Sequence, residues 1–247
     1  MTFAKETSLL IIGHRGAAGL APENTLPSFQ RALALQCEAV ELDVHRVEDT
    51  LVVIHDHKLD RTTNTKGRVS ELSLEDLTAI DAGDGAPIPT LTQVLSLARE
   101  YAGDQYQILV NIELKGAGTA ELTASVIRAH LPHLKFLVSS FDHQALADFR
   151  SYDTTTEVAP LFGQWDPAWL GVAQQLNASH VNLAARICTP RRIAEIRTQG
   201  YPVFAYTVNS VRSATRLAKM GVRGVFTDRP DRLLAAPIPV TAVHDYR

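Results

Sequence analysis

Residues 9–63 read LLIIGHRGAAGLAPENTLPSFQRALALQCEAVELDVHRVEDTLVVIHDHKLDRTT. Leu9 to Ile12 is a short apolar run ended by Gly13, the pattern of a buried strand. His14-Arg15-Gly16 follows at the strand's carboxyl end. Pro22-Glu23-Asn24-Thr25 reads as a helix start, with Asn24 or Thr25 as cap and Pro27 in the first turn. Leu26, Phe29 and Leu33 keep helical spacing in a helix that runs to about Gln36. Ala39 to Val44 is a second strand. Its side chains alternate, so Glu41 and Asp43 share one face while Val40, Leu42 and Val44 share the other. Two carboxylates side by side repel unless a cation or a proton lies between them.

Leu51 to His55 is the next strand. The turn Glu48-Asp49-Thr50 is too short for a parallel return, so the two strands form an antiparallel hairpin. Pairing Val47 with Leu51 places His55 opposite Asp43, on the carboxylate face. A one-residue slip turns His55 away.

Beyond the hairpin, residues 56–89 form a polar, Gly- and Pro-rich excursion in which Ser73 caps a short helix, Leu74 to Ile80. Strands and helices then alternate. Helices are expected from a Thr90/Gln93 capping box to about Tyr101, over Thr119–His130, after Asp142, after Asp166-Pro167, after Thr189-Pro190, over Val211–Met220 with Gly221 closing it, and from Asp228 as cap to about Leu234. Strands are expected over Tyr106–Lys115, Lys135–Phe141, Val158–Phe162, His180–Leu183, Pro202–Val208 and Val222–Thr227. With the hairpin's return strand left out, eight parallel strands remain, which predicts a TIM (β/α)8 barrel. The hairpin takes the place of a helix missing after the second strand. A doubly wound open sheet is the alternative, but it has no use for eight strands that all end in polar residues. The tail from Pro237 to Arg247 shows no period and is expected at the surface.

A chain of 247 residues with formal charge −3 suits one barrel domain and gives no sign of a nucleic-acid partner. Cys37 and Cys188 carry no disulfide signal. The first residues lack a signal peptide's apolar core, and no apolar run approaches the roughly 20 residues of a membrane span. The expectation is a cytoplasmic protein with no stable membrane association. Nothing in the sequence sets an oligomeric state.

In such a barrel the site forms at the strands' carboxyl ends. His14 ends the first strand, Glu41 and Asp43 the second, Glu113 and Lys115 the third, and His55 returns to them. Three clustered carboxylates are hard oxygen ligands, suited to Mg²⁺ or Ca²⁺. Arg15 can grip a phosphate through two parallel N–H groups, and Lys115 adds a point charge. Two histidines titrating near neutral pH can serve as acid and base in one reaction.

These residues stand in an ordered set: His14-Arg15-Gly16, Pro22-Glu23-Asn24-Thr25, Glu41-Leu42-Asp43, His55-Asp56, Leu59, Arg61-Thr62-Thr63, Glu113-Leu114-Lys115, Thr207-Val208-Asn209 and Thr227-Asp228. The set resembles the glycerophosphodiester phosphodiesterase family, in particular its short cytoplasmic bacterial members, over nearly the whole chain. The resemblance implies catalytic roles for His14 and His55 and metal binding for Glu41, Asp43 and Glu113. It also implies that the 56–89 insertion covers the mouth and helps choose the substrate. The reaction implied is hydrolysis of a small glycerophosphodiester to glycerol 3-phosphate and an alcohol, by water or through the substrate's own 2-hydroxyl. Asn64-Thr65-Lys66-Gly67 and Tyr206 depart from the family's usual residues and bear on head-group preference.

Plainer readings stand beside these. Lys115 would merely pair with Glu113, Glu23 is a helix-terminus charge, and Asp56 orients an imidazole or Arg61. Phe141, Trp165, Trp169 and Tyr206 form either an apolar substrate wall or packing. Three rival functions use the same barrel. A metal-dependent amidohydrolase would use His55-x-His57 with His180 and Asp228, but that class places His-x-His on its first strand. A phospholipase D-like lyase would release a cyclic phosphate. A non-catalytic phosphate-binding barrel has no need of paired histidines.

Overall fold

The structure, a computed structural model, describes residues 8–103, 107–130, 133–236 and 238–239. Eight parallel strands close into a ring: β1 (Leu10–Gly13), β2 (Ala39–Val47), β4 (Leu109–Leu114), β5 (Lys135–Ser140), β6 (Glu157–Phe162), β7 (Val181–Ala184), β8 (Val203–Tyr206) and β9 (Gly224–Thr227). The β1–β2 pairing completes the circle. A ninth strand, β3 (Thr50–Val53), lies outside the ring, antiparallel to the far end of β2. The TIM barrel with a hairpin after its second strand is therefore the observed fold.

One parity rule organises the ring. Leu10, Ile12, Ala39, Leu109, Leu137, Ala159, Phe204 and Phe226 fill the barrel interior. Their strand neighbours Ile11, Val40, Val110, Val138, Val158, Val203 and Val225 face outward under the helices. Side chains two residues apart on a strand share a face. The interior row therefore continues upward to Glu41, Asp43, Asn111, Glu113, Ser139, Leu161 and Tyr206 at the carboxyl ends.

The outer layer follows local chemistry. α1 (Leu26–Ala34) is capped by the Thr25 hydroxyl, with Pro27 in its first turn. Asn24 is not the cap; it sits at φ +58° and turns its side chain into the site. α2 (Leu91–Ala102) has the expected Thr90/Gln93 capping box. It packs on α1 and β3, so no helix is missing after the second strand. The crossover helix is only delayed behind the hairpin and the insertion. α3 (Thr119–His130), α4 (His143–Tyr152, capped by Asp142), α6 (Pro190–Thr198, capped by Thr189) and α7 (Val211–Met220, ended by Gly221 at φ +97°) match their expectations. Two caps do not. Asp166 precedes a turn, and α5 (Trp169–Gln175) starts after Ala168. α8 (Pro230–Leu234) has no side-chain cap, because Asp228 is used elsewhere.

The insertion holds two 3₁₀ turns, Val69–Glu71 and Asp76–Thr78, where one helix was expected. Ser73 donates to the Asp76 carboxylate instead of capping a helix. Leu59, Val69, Leu77, Ile80 and Ile88 give the insertion its own small core against Val47, Val52 and Ile54 of the hairpin. Of the tail, Ile238 is buried and its carbonyl accepts from Leu9 N–H at 3.2 Å. The expected strand start at Tyr106, the first seven residues and residues 240–247 lie outside the described residues. No helix among the described residues is long and apolar enough to cross a membrane.

Candidate active site

The interior parity row ends in a cavity of about 150 Å³. Its lining includes His14, Arg15, Glu41, His55, Glu113, Phe141 and Tyr206. Glu41, Asp43 and Glu113 are each at most 8% exposed, and each offers an oxygen within 4.8 Å of the others. At that separation two like unit charges repel by roughly 3–4 kcal/mol at an effective dielectric constant of about 20. Burial and the Asp43 charge therefore push the Glu41 carboxyl up to about 7 and the Glu113 carboxyl up to about 8. Burial works on Asp43 in the same sense, but Lys115 and Arg15 outweigh it and hold that carboxyl below its ordinary range.

Both cations are engaged with the cluster. Arg15 donates its backbone N–H to Glu41 Oε2 at 2.9 Å, and its Nε lies 3.4 Å from Asp43 Oδ2. Lys115 Nζ stands 2.5 Å from Glu113 Oε1 and 3.3 Å from Asp43 Oδ1. Asn24 Nδ2 donates to Asp43 Oδ2 at 2.9 Å. Asp43 Oδ1 and Glu113 Oε1 are both buried, and among the described residues the Lys115 ammonium is the one cation that meets them. Three buried carboxylates converging at one point, two of them sharing a single ammonium, are a hard oxygen donor set that fits a divalent cation. The raised Glu41 and Glu113 carboxyls agree with this reading: they mark carboxylates crowded together in a buried place, and a cation between such groups favours their charged forms.

Each histidine is held by a carboxylate of its own. His14 Nδ1 donates to Asp228 Oδ1 at 2.6 Å, leaving Nε2 3.9 Å from Glu41 Oε2. Burial alone would lower the His14 pKa, but Asp228 and Glu41 raise it. His55 Nδ1 donates to Asp56 Oδ1 at 2.5 Å. Burial lowers its pKa against the pull of Asp43.

The route of His55 into the site differs from the expected one. Val47 pairs with Thr50, not Leu51. Ile54, not His55, is bonded to Asp43, its N–H donating to the Asp43 carbonyl at 3.1 Å. The ladder has ended at Val53, so the chain is free to swing His55 back toward the carboxylates.

The aromatic candidates divide. Phe141, 48% exposed, meets Tyr206 edge-on at 5.7 Å and lies under Lys115 Nζ. Both rings line the cavity. Trp169 is buried packing whose indole donates to Glu195, and Trp165 stacks on Arg192. His180 precedes β7 at the barrel's amino end, against Ser179 and Glu157, far from the ends where His55 lies. The amidohydrolase ligand set is therefore not assembled. Cys37 and Cys188 are buried free thiols, pushed by burial up to about 12 and 11.

Asp228, a helix cap by its local sequence, instead pairs with His14, 214 residues away. Its position just past a strand end, in the same parity as Phe226, was the available signal.

The model of the Glycerophosphoryl diester phosphodiesterase family matches residues 14–232. The chain belongs to that family. A glycerophosphodiester phosphodiesterase of Caldanaerobacter subterraneus subsp. tengcongensis is 33% identical, the match covering 91% of this chain and 96% of the relative. Among solved structures, an Oleispira antarctica phosphodiesterase in complex with the product sn-glycerol-3-phosphate superposes with a TM-score of 0.84 at 28% identity, covering 92% of this chain and 96% of that one. A glycerophosphodiester phosphodiesterase from Agrobacterium tumefaciens gives 0.77 at 28% identity, over 92% and 100%. The family's shared core thus spans nearly the whole of this phosphodiesterase, from the His14 turn to α8.

Proposed function

We propose that this protein hydrolyses small glycerophosphodiesters to glycerol 3-phosphate and an alcohol, with His14 and His55 as acid and base and a divalent cation, Mg²⁺ or Ca²⁺, held by Glu41, Asp43 and Glu113. The observation that carries the reading is one cavity lined by two carboxylate-held imidazoles beside a buried three-carboxylate cluster.

Arg15 and Lys115 supply the remaining positive charge for the phosphodiester. Each histidine presents Nε2 as its free nitrogen, since Nδ1 is committed to Asp228 or Asp56. One imidazole takes the proton of the attacking hydroxyl, from water or from the substrate's 2-hydroxyl; in the second case a cyclic phosphate forms first and a water then opens its ring to give glycerol 3-phosphate. The other returns a proton to the alcohol oxygen as its bond to phosphorus breaks. A bound divalent cation supplies electrostatic stabilisation for the charge that gathers on the non-bridging oxygens.

Phe141 and Tyr206 wall the cavity for the substrate's carbon skeleton. At about 150 Å³ the cavity is smaller than the roughly 300–1,000 Å³ of drug-sized pockets, which favours a glycerol phosphate over an acylated lipid. This fits a cytoplasmic enzyme working on soluble diesters.

The test is release of glycerol 3-phosphate from glycerophosphocholine by the purified protein. His14→Ala and His55→Ala should each lower kcat by roughly 10²–10⁴-fold. Wild-type protein inactive across several head groups would sink the substrate assignment. A cyclic phosphate accumulating without water uptake would favour the lyase reading.

A further inference from the structure

A run of charged side chains outside the carboxylate cluster ties the two sides of the cavity together. Arg15 Nη1 donates to Glu23 Oε1 at 2.6 Å. Arg61 donates to the same carboxylate through both terminal nitrogens, at 2.9 and 2.8 Å. Its Nε and Nη2 also reach Asp56, at 2.6 and 3.0 Å. Asp56 in turn accepts from His55 Nδ1. All three guanidinium nitrogens are therefore spent on two carboxylates, and those carboxylates face the imidazole and the guanidinium that line the cavity.

An exposed ion pair of ordinary kind contributes about 0–1 kcal/mol and orients nothing in particular. This arrangement differs in two respects. The fork is bidentate at both ends, a geometry only arginine can offer. And His55 has left the β2–β3 ladder, so its ring has no strand pairing to orient it.

We infer that Arg61 is a positioning residue for phosphodiester cleavage: it braces Asp56 against His55 and Glu23 against Arg15, so one side chain of the insertion sets both groups. The inference rests on the reading under Proposed function. The insertion then serves the chemistry through a rigid contact, not only by covering the mouth.

The charges that face His55 are Asp56 beside it, Asp43 from β2, Lys115 after β4 and Arg15 after β1. Arg61 offsets the Asp56 carboxylate. Removing Arg61 exposes the imidazole to an unshielded anion, which favours imidazolium. Removing the Asp56 charge does the opposite.

The experiment is the pH profile of kcat/KM for glycerol 3-phosphate release by wild type, Arg61→Gln, Asp56→Asn and Leu77→Ala. Leu77 is buried in the insertion's own core, so its truncation costs core packing and removes no member of the network. Arg61→Gln should lose roughly 10–100-fold in kcat/KM and move the His55 limb to higher pH by about one unit. Asp56→Asn should move the same limb to lower pH. Leu77→Ala should lower the melting temperature and leave the limb in place. Neither limb moving, or both moving the same way, overturns the inference and leaves Arg61 a surface strut. Wild type releasing no glycerol 3-phosphate from any diester overturns the functional reading itself, and this inference with it.

Discussion

His14 takes its orientation from Asp228, a residue 214 positions away that the barrel's closure brings to 2.6 Å. Asn209 Nδ2 holds the other oxygen of that carboxylate at 2.6 Å, so Asp228 is itself fixed. Asp228→Asn keeps the shape and removes the charge that anchors the imidazole. It should cost roughly 10–100-fold in kcat/KM while circular dichroism stays that of the wild type; unchanged kinetics would return Asp228 to a structural role. The residues legible from sequence were those whose chemistry announces itself locally, such as Glu41 and Asp43 two apart on one strand. Sequence alone makes Asp228, Asn24 and Glu23 helix-end groups, because a cap is a local feature. Their partners His14, Asp43 and Arg61 come from other elements.

Helix and strand positions were readable because caps, breakers and alternation are written within a few residues. Thr25, Thr90, Asp142, Thr189 and Gly221 all end helices as expected. The hairpin register was not readable. Thr50 pairs with Val47 across a turn in which Glu48 adopts φ +51°, a conformation that the sequence Glu-Asp does not advertise. His55 nonetheless reaches the site, because its direction comes from the chain beyond the ladder. The His14-Arg15-Gly16 turn has an equally specific demand. Gly16 sits at φ +83°, and a Cβ there would lie 2.6 Å from the backbone carbon and hydroxyl of Ser28. Gly16→Ala should therefore lower stability by about 1–3 kcal/mol, read in urea denaturation. Thr90→Ala, losing only a cap, should cost about 1 kcal/mol. A Gly16→Ala protein as stable as wild type would show that the turn has room the geometry denies it.

At the scale of the whole molecule, the barrel separates two kinds of buried charge. At the amino end, burial lowers the His180 pKa to about 4, whereas in the unfolded chain it is near 6.5. Between those values the unfolded chain binds a proton that folded His180 refuses. Its neutral form is thus tolerated above pH 6.5, and stability falls as pH drops through the window. From pH 7 to 5 the loss is about 1–2 kcal/mol. His180→Gln should flatten the pH dependence of unfolding by that amount; an unchanged slope would mean Glu157 cancels the burial. At the carboxyl end, the charge is gathered for use. Eight strands end there, and their interior row carries the carboxylates upward from an apolar barrel floor. The strand count foretold this arrangement, since it follows from alternation and closure alone. The most direct test of the account is glycerol 3-phosphate release after EDTA treatment and metal restoration, for wild type and Glu41→Gln. Activity lost with EDTA, restored by Mg²⁺ or Ca²⁺ in wild type and not in Glu41→Gln, is the predicted result. Full activity in EDTA, with Glu41→Gln equally active, would contradict it.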